Sequence, residues 1–128
     1  MVDSVVMDRK CMELLLAMAR EVHPNEVIVL LHGKVEKNMA RVDELSLPPQ
    51  TVFGEDFASF NPYALPIDYS ILGVAHSHPS GVGEPSTEDL NNFMGRIMVI
   101  VTPPYEDERD VHVFDGSGKR VRRVVSDQ

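Results

Sequence analysis

Ile71-Leu72-Gly73-Val74-Ala75-His76-Ser77-His78-Pro79-Ser80-Gly81-Val82-Gly83-Glu84-Pro85-Ser86-Thr87-Glu88-Asp89 is an apolar run, two histidines one residue apart, a loop of Pro, Ser and Gly, and the opening of a helix. In an extended segment residues i and i+2 point to the same face, so His76 and His78 can aim both imidazoles at one point. The glycines and prolines let the chain double back and carry Asp89 toward that point. Two neutral imidazoles and one carboxylate make a three-ligand zinc site with its fourth position open, the catalytic rather than the structural arrangement. Each piece also has a plainer explanation. His-x-His alone is a weak signal, and Ser86-x-x-Asp89 alone is a capping pattern, in which a serine hydroxyl accepts from the N3 amide and the helix dipole favours an acid at N3.

Working outward, Gln50 to Tyr69 is rich in aromatic residues, Pro, Asp and Asn without a clean period. Its spacing is compatible with one or two helical turns at about 53–60. Such a stretch is either a flap that contacts substrate or a connector that packs its aromatics on the core. On the other side, the helix opened by Ser86 is expected to run to about Gly95. Arg96 to Thr102 follows as a buried strand closed by Pro103-Pro104. An acidic loop from Tyr105 to Asp110, a short strand Val111–Phe114, a turn at Asp115–Gly118 and a last strand Lys119–Val125 complete the chain. Charged residues interleaved in that last strand mark a protected sheet edge.

Ahead of the motif, Glu26 to Gly33 is one acid followed by a run apolar on both faces, the pattern of a buried central strand. Residues 35–46 alternate loosely and are expected to return beside it. At the N-terminus Met7, Cys11, Leu14, Leu15, Met18 and Val22 fall on one helical stripe, which predicts a helix over 4–22, capped by Ser4 or Asp3 and stopped by Pro24. The fold class expected is α/β (α+β), with helices flanking a single mixed β-sheet and residues 1–128 forming one domain.

Composition restricts function further. The 128 residues are 43% hydrophobic and 25% charged with a formal net charge of −8, which argues against a nucleic-acid partner. A single cysteine, Cys11, excludes an intrachain disulfide and any multi-cysteine metal cluster, and fits a reducing cytoplasm. The apolar stretch from Cys11 to Ala19 is too short and too charged at its flanks for a signal peptide, and nothing reaches the roughly 20 apolar residues of a membrane span. A cytoplasmic location with no membrane partner is expected. His23, His32 and His112 lack metal-ligand spacing to another ligand and are expected to be structural or solvent-facing. His32 is the one to watch, because it ends the strand that Glu26 begins.

Together, His76-x-His78-Pro79, six residues, then Ser86-x-x-Asp89 match residue for residue the His-x-His-Pro-x6-Ser-x-x-Asp motif of the JAMM (MPN+) metalloproteases. Pro24-Asn25-Glu26-Val27-Ile28-Val29-Leu30-Leu31-His32-Gly33 fits the family's other hallmark, a glutamate ahead of an early apolar strand. The resemblance covers essentially the whole chain, and the small size resembles the stand-alone prokaryotic, archaeal-type members. It implies the JAMM/MPN (cytidine-deaminase-like) architecture. It also implies one catalytic Zn²⁺ on His76, His78 and Asp89, with Glu26 as general base and Ser86 as donor to the oxyanion. Ser77, facing away from the ligands, is left to loop or outer support.

Family members characteristically cut after the C-terminal glycines of ubiquitin or ubiquitin-like proteins. The resemblance therefore implies a zinc isopeptidase, deubiquitinase-like, with ubiquitin-like conjugates or precursors as partners and a homodimer as one possible assembly. The stretch from Thr102 to Asp110 is short, which leaves polyubiquitin linkage selectivity without support. Processing of ubiquitin-like or sulfur-carrier precursors would use the same site. A RadC-like DNA-associated role fits the His76–Gly81 loop but not the acidic balance, and a non-catalytic MPN scaffold would lack the ligands kept here.

Overall fold

The structure, a computed structural model, describes residues 1–48, 68–91 and 93–127, together with the backbone of 52–53 and 58–59. Its elements in chain order are β1 (Ser4–Asp8), α1 (Arg9–Val22), β2 (Ile28–Glu36), β3 (Met39–Ser46), β4 (Val52–Phe53), β5 (Ala58–Ser59), β6 (Ile71–Ser77), α2 (Thr87–Asn91), β7 (Ile97–Val101), β8 (Val111–Asp115) and β9 (Arg122–Ser126). Seven strands form one mixed sheet in the order β8-β7-β6-β2-β3-β1-β9, and β4 pairs with β5 alone. The α/β class with a single main mixed sheet is as expected.

Several local expectations are corrected. The helix begins at Arg9 rather than Ser4, because Ser4–Asp8 is a strand parallel to both β3 and β9. Val5 and Val6 are β-branched and favour a pleated, buried setting over a helical turn, and a single helical stripe could not distinguish the two. The buried helix face is also rotated. Cys11, Met12, Leu15, Leu16 and Ala19 are buried, whereas Leu14 is 52% exposed. Asp8 stands at the N-cap position without a capping side-chain bond, and the helix ends before His23 and Pro24 as predicted. The helical turns expected at about 53–60 do not form where the chain is described: β4 and β5 pair antiparallel there. The remainder of the proposed flap lies outside the described residues. The helix after Ser86 is five residues long, shorter than expected.

Alternation along the strands sorts the core into two faces. On one, α1 packs its buried residues over Val29, Leu31, Ala75, Val99 and Val101. On the other, Ile28, Leu30, Val74, Met98, Ile100 and Phe114 form a second cluster, covered in part by Phe93 and Met94. That second face carries His76 and His78. Beyond β8, Val121 N–H donates to Val113 O and Arg122 N–H to Asp3 O, so residues 119–123 pass from one sheet edge to the other and curl the sheet on itself. β9 then lies at the edge, as its interleaved charges predicted.

Gly73 marks a close approach between β6 and β7. A Cβ there would lie 1.9 Å from the carbonyl oxygen of Ile97, its register partner. Backbone cannot move that far without breaking the ladder that delivers His76. Gly73→Ala is expected to cost about 3 kcal/mol or more, roughly 10 °C in Tm by thermal melting. A Tm within about 2 °C of the parent would contradict this packing.

Candidate metal centre

The ends of β2, β6, β7 and β8 gather the site. β2 and β6 are antiparallel with Ile28 opposite His76, and Ser77 N–H donates to Val27 O at 3.0 Å. Glu26 immediately precedes this junction and His78 immediately follows it. The charge of half-buried Glu26 is felt at both His78 and the Tyr105 hydroxyl.

Ser77, fully buried, faces away from the histidines as its position between them requires. Its Oγ accepts from Val27 N–H at 2.7 Å. The backbone next to Glu26 is thus fastened to the backbone between the two histidines by a bond from each chain. Removing Oγ would strand a buried amide, which typically costs about 1–3 kcal/mol. Sequence parity gave the direction of Ser77 correctly, but only strand pairing names its partner. Tyr105 lies behind this junction. Its hydroxyl is buried without a hydrogen bond of good geometry, and its backbone has φ 59°, in the left-handed region. Burial pushes the Tyr105 hydroxyl up, and nearby Ser77 opposes that. The Arg20 guanidinium donates to its carbonyl, and the His23 ring meets the phenol edge-on at 5.8 Å between centroids. No sequence signal pointed to Tyr105.

The loop after His78 closes back as expected. Asp89 Oδ2 accepts from His78 Nε2 at 3.1 Å and from Ser86 N–H at 2.9 Å, while Asp89 N–H donates to Ser86 Oγ at 3.0 Å. The capping box and the His78 contact therefore coexist on one carboxylate. A hydroxyl that accepts one bond retains a proton to donate, so Ser86 Oγ keeps its use as a donor. His78 Nδ1 donates to Val82 O at 2.9 Å, which fixes the ring and leaves Nε2 directed at Asp89. The loop carbonyl is the second-nitrogen partner that the sequence could not name.

Electrostatics follow from this packing. Burial lowers the His76 pKa, with the Asp89 charge opposing it. Burial would also lower His78, but the Asp89 hydrogen bond, the Val82 carbonyl and the charges of Asp89 and Glu26 outweigh it and raise its pKa. Burial would raise Asp89, but His78, the Ser86 amide and the two imidazole charges bring it down to about 2. With metal removed by chelator, a carboxylate depressed from about 3.9 contributes stability above about pH 4 that is lost as pH falls toward 2. A histidine raised above about 6.5 contributes stability below that value that is lost as pH rises through its folded pKa. The stability difference between chelated wild type and Asp89→Asn is therefore expected to peak between about pH 4 and 6.5 and shrink on both sides. A difference independent of pH would refute the pairing.

The donor set fits a zinc ion. Two donors on one tetrahedral zinc, each about 2.0–2.1 Å from it, stand roughly 3.3 Å apart, and His78 Nε2 and Asp89 Oδ2 are 3.1 Å apart. His76 Nδ1 is buried with no hydrogen-bond partner, a polar atom that folding alone leaves incomplete. Among the described residues, however, no three His, Cys, Asp or Glu side chains are already arranged to hold a metal ion.

The other histidines lie outside this cluster of donors. His32 does not end its strand as expected but sits in the middle of β2, beside the irregularities in its pairing with β3 and β6, and has Nε2 2.6 Å from Ser46 Oγ and Nδ1 2.9 Å from Ser70 Oγ. His23 meets Tyr105 edge-on, and His112 packs beneath the loop that follows His78.

The fold and this clustering of histidines, acid and serine are those of a JAB/MPN-type metalloprotease-like domain. The family of prokaryotic homologs of the JAB domain matches residues 8–114, and the chain belongs to it, as a small prokaryotic member of the JAMM/MPN+ family. A probable metalloprotease of Haloferax volcanii is 36% identical over 106 residues, 77% of this chain and 65% of that protein, so the chain spans a little under two thirds of its relative. A solved structure described as a JAMM metalloprotease-like zinc site in the proteasome and signalosome aligns with TM-score 0.67 and 30% identity over 95% of this chain and 97% of that one. A JAB1/MPN domain protein from Archaeoglobus fulgidus aligns with TM-score 0.68 and 30% identity, covering 96% and 98% of the two chains. A Desulfitobacterium hafniense protein shares the fold at TM-score 0.72 and 20% identity, over 97% and 94% of the chains. Among the described residues no helix is long and apolar enough to cross a membrane.

Proposed function

We propose that this chain is a zinc-dependent isopeptidase that cleaves after the C-terminal Gly-Gly of ubiquitin-like modifiers. The observation that carries the hydrolytic reading is the Val27–Ser77 junction, which holds Glu26 near enough for its charge to act on His78, while Asp89 closes on the same imidazole. His76, His78 and Asp89 would hold the ion. Bound there, zinc supplies a Lewis acid that lowers the pKa of a water toward about 7 and polarises the scissile carbonyl.

The chain's own residues do the rest. The Glu26 carboxylate takes a proton from the attacking water and passes it to the leaving amine. It can do so because Ser77 fixes the backbone beside it relative to the two histidines. The Ser86 hydroxyl donates to the oxyanion that develops on the scissile carbonyl, work worth about 3–4 kcal/mol for a well-placed donor. Val82 O holds the His78 Nδ1 proton, so Nε2 is the nitrogen left to ligate. The Gly-Gly substrate class is supported by the family resemblance and by membership of the JAB-domain family.

Metal analysis of purified protein, then incubation with a Gly-Gly-linked ubiquitin-like conjugate with and without chelator, tests the reading. Chelator-sensitive release of the modifier is expected. Zinc-loaded protein that cleaves no Gly-Gly-linked substrate would overturn the substrate assignment.

A further inference from the structure

His112 lies on β8, two strands from His76 and on the same sheet face, and its ring sits beneath the loop between His78 and Ser86. A Cβ on Gly83 would lie 2.8 Å from His112 Cε1 and 2.9 Å from Nε2, so the ring rests against the Gly83 backbone itself. His112 Nε2 is 3.0 Å from Thr102 Oγ1, and Arg120 Nη1 donates to His112 Nδ1 at 3.2 Å. An arginine has no lone pair to offer, so Nδ1 is the acceptor and Nε2–H donates to the threonine. Burial and then the Arg120 charge lower the His112 pKa, consistent with a neutral ring.

Arg120 is itself fixed. Its guanidinium carbon is 4.9 Å from the Phe114 ring centroid, and its other nitrogen, Nη2, donates to Gly83 O at 2.9 Å. The residue before, Val82, is the one whose carbonyl receives His78 Nδ1. The Val82–Gly83 segment is therefore gripped by His112 and Arg120, and from there it orients the His78 imidazole. Without that grip an exposed Pro/Gly loop would let the Val82 carbonyl turn to water, and the ring would lose the bond that distinguishes its two nitrogens.

We propose that His112, Arg120 and Gly83 are positioning residues for the metal centre, bracing the loop so that Val82 O captures His78 Nδ1 and Nε2 stays turned toward Asp89. The brace is a feature of the metal-free chain, while its consequence for zinc rests on the reading of His78 as a ligand. Partners that orient a metal-binding histidine typically change affinity by about 10–100-fold when removed. Because Arg120 acts one residue away from the captured carbonyl, about tenfold is expected.

The test uses Arg120→Ala and Gly83→Ala, with Arg122→Ala as a control of equal charge change on β9. In metal-free protein carrying ¹⁵N-labelled histidine, the His78 Nδ1 proton should be visible in the parent and in the control, and lost to solvent exchange in both brace variants. Zinc dissociation constants from chelator competition should rise about tenfold in those variants, with Tm little changed in Arg120→Ala. A His78 Nδ1 proton protected equally in all four proteins overturns the brace. A parent that binds no zinc sinks the metal reading instead, and the His78 proton still decides the brace.

Discussion

Glu26→Gln is expected to keep one zinc per chain and to lose cleavage by about 10²–10⁴-fold in kcat/KM, the range for a positioned proton-transfer group. In barrier terms that is roughly 3–5 kcal/mol. Glutamine has nearly the same shape and keeps hydrogen-bonding capacity, so the Val27–Ser77 junction that fastens this segment to β6 should survive. What disappears is the base, along with a negative charge that helps raise the His78 pKa. Metal analysis and steady-state rates on one preparation separate the two consequences. Activity within about tenfold of the parent would remove Glu26 from the chemistry, whatever its charge does to His78.

Asp89→Ala is expected to weaken zinc binding by well over the about 100-fold upper range seen for outer partners of ligands, leaving the purified protein largely metal-free. The same carboxylate accepts from the Ser86 amide and from His78, so stability should fall too. Loss of a capping side chain costs about 1 kcal/mol. A thermal melt in chelator reads that smaller effect by itself, and zinc titration reads the larger one. Full zinc occupancy in Asp89→Ala would leave Asp89 with its capping role alone.

Much of this could be seen before any coordinates. The run ending in His76-Ser77-His78 states its own period, because two residues two apart on a strand must share a face. Ser86 and Asp89 three apart, at the start of a helix, must reach each other, and they do. These relations are local, fixed by backbone geometry over a few residues. Errors also arose locally, where one pattern served two structures. Met7 opens the helical stripe of α1 and equally, with Val5, the buried face of β1, and only pairing with β3 and β9 chose between them.

What the sequence determined by itself was therefore the family motif, the candidate donors, the α/β class and the face that each donor takes. The tertiary structure decided which atoms meet across strands distant in the chain. It brought the Glu26 charge to bear on His78, made Ser77 the acceptor for Val27, gave Val82 O to His78 Nδ1, and slid His112 under Gly83. The physical reason is that side-chain direction follows from local dihedrals, whereas register and sheet order are settled by the collective burial of faces such as Ile28, Val74, Ile100 and Phe114. Such a sum extends over the whole chain, and no single stretch of residues carries it.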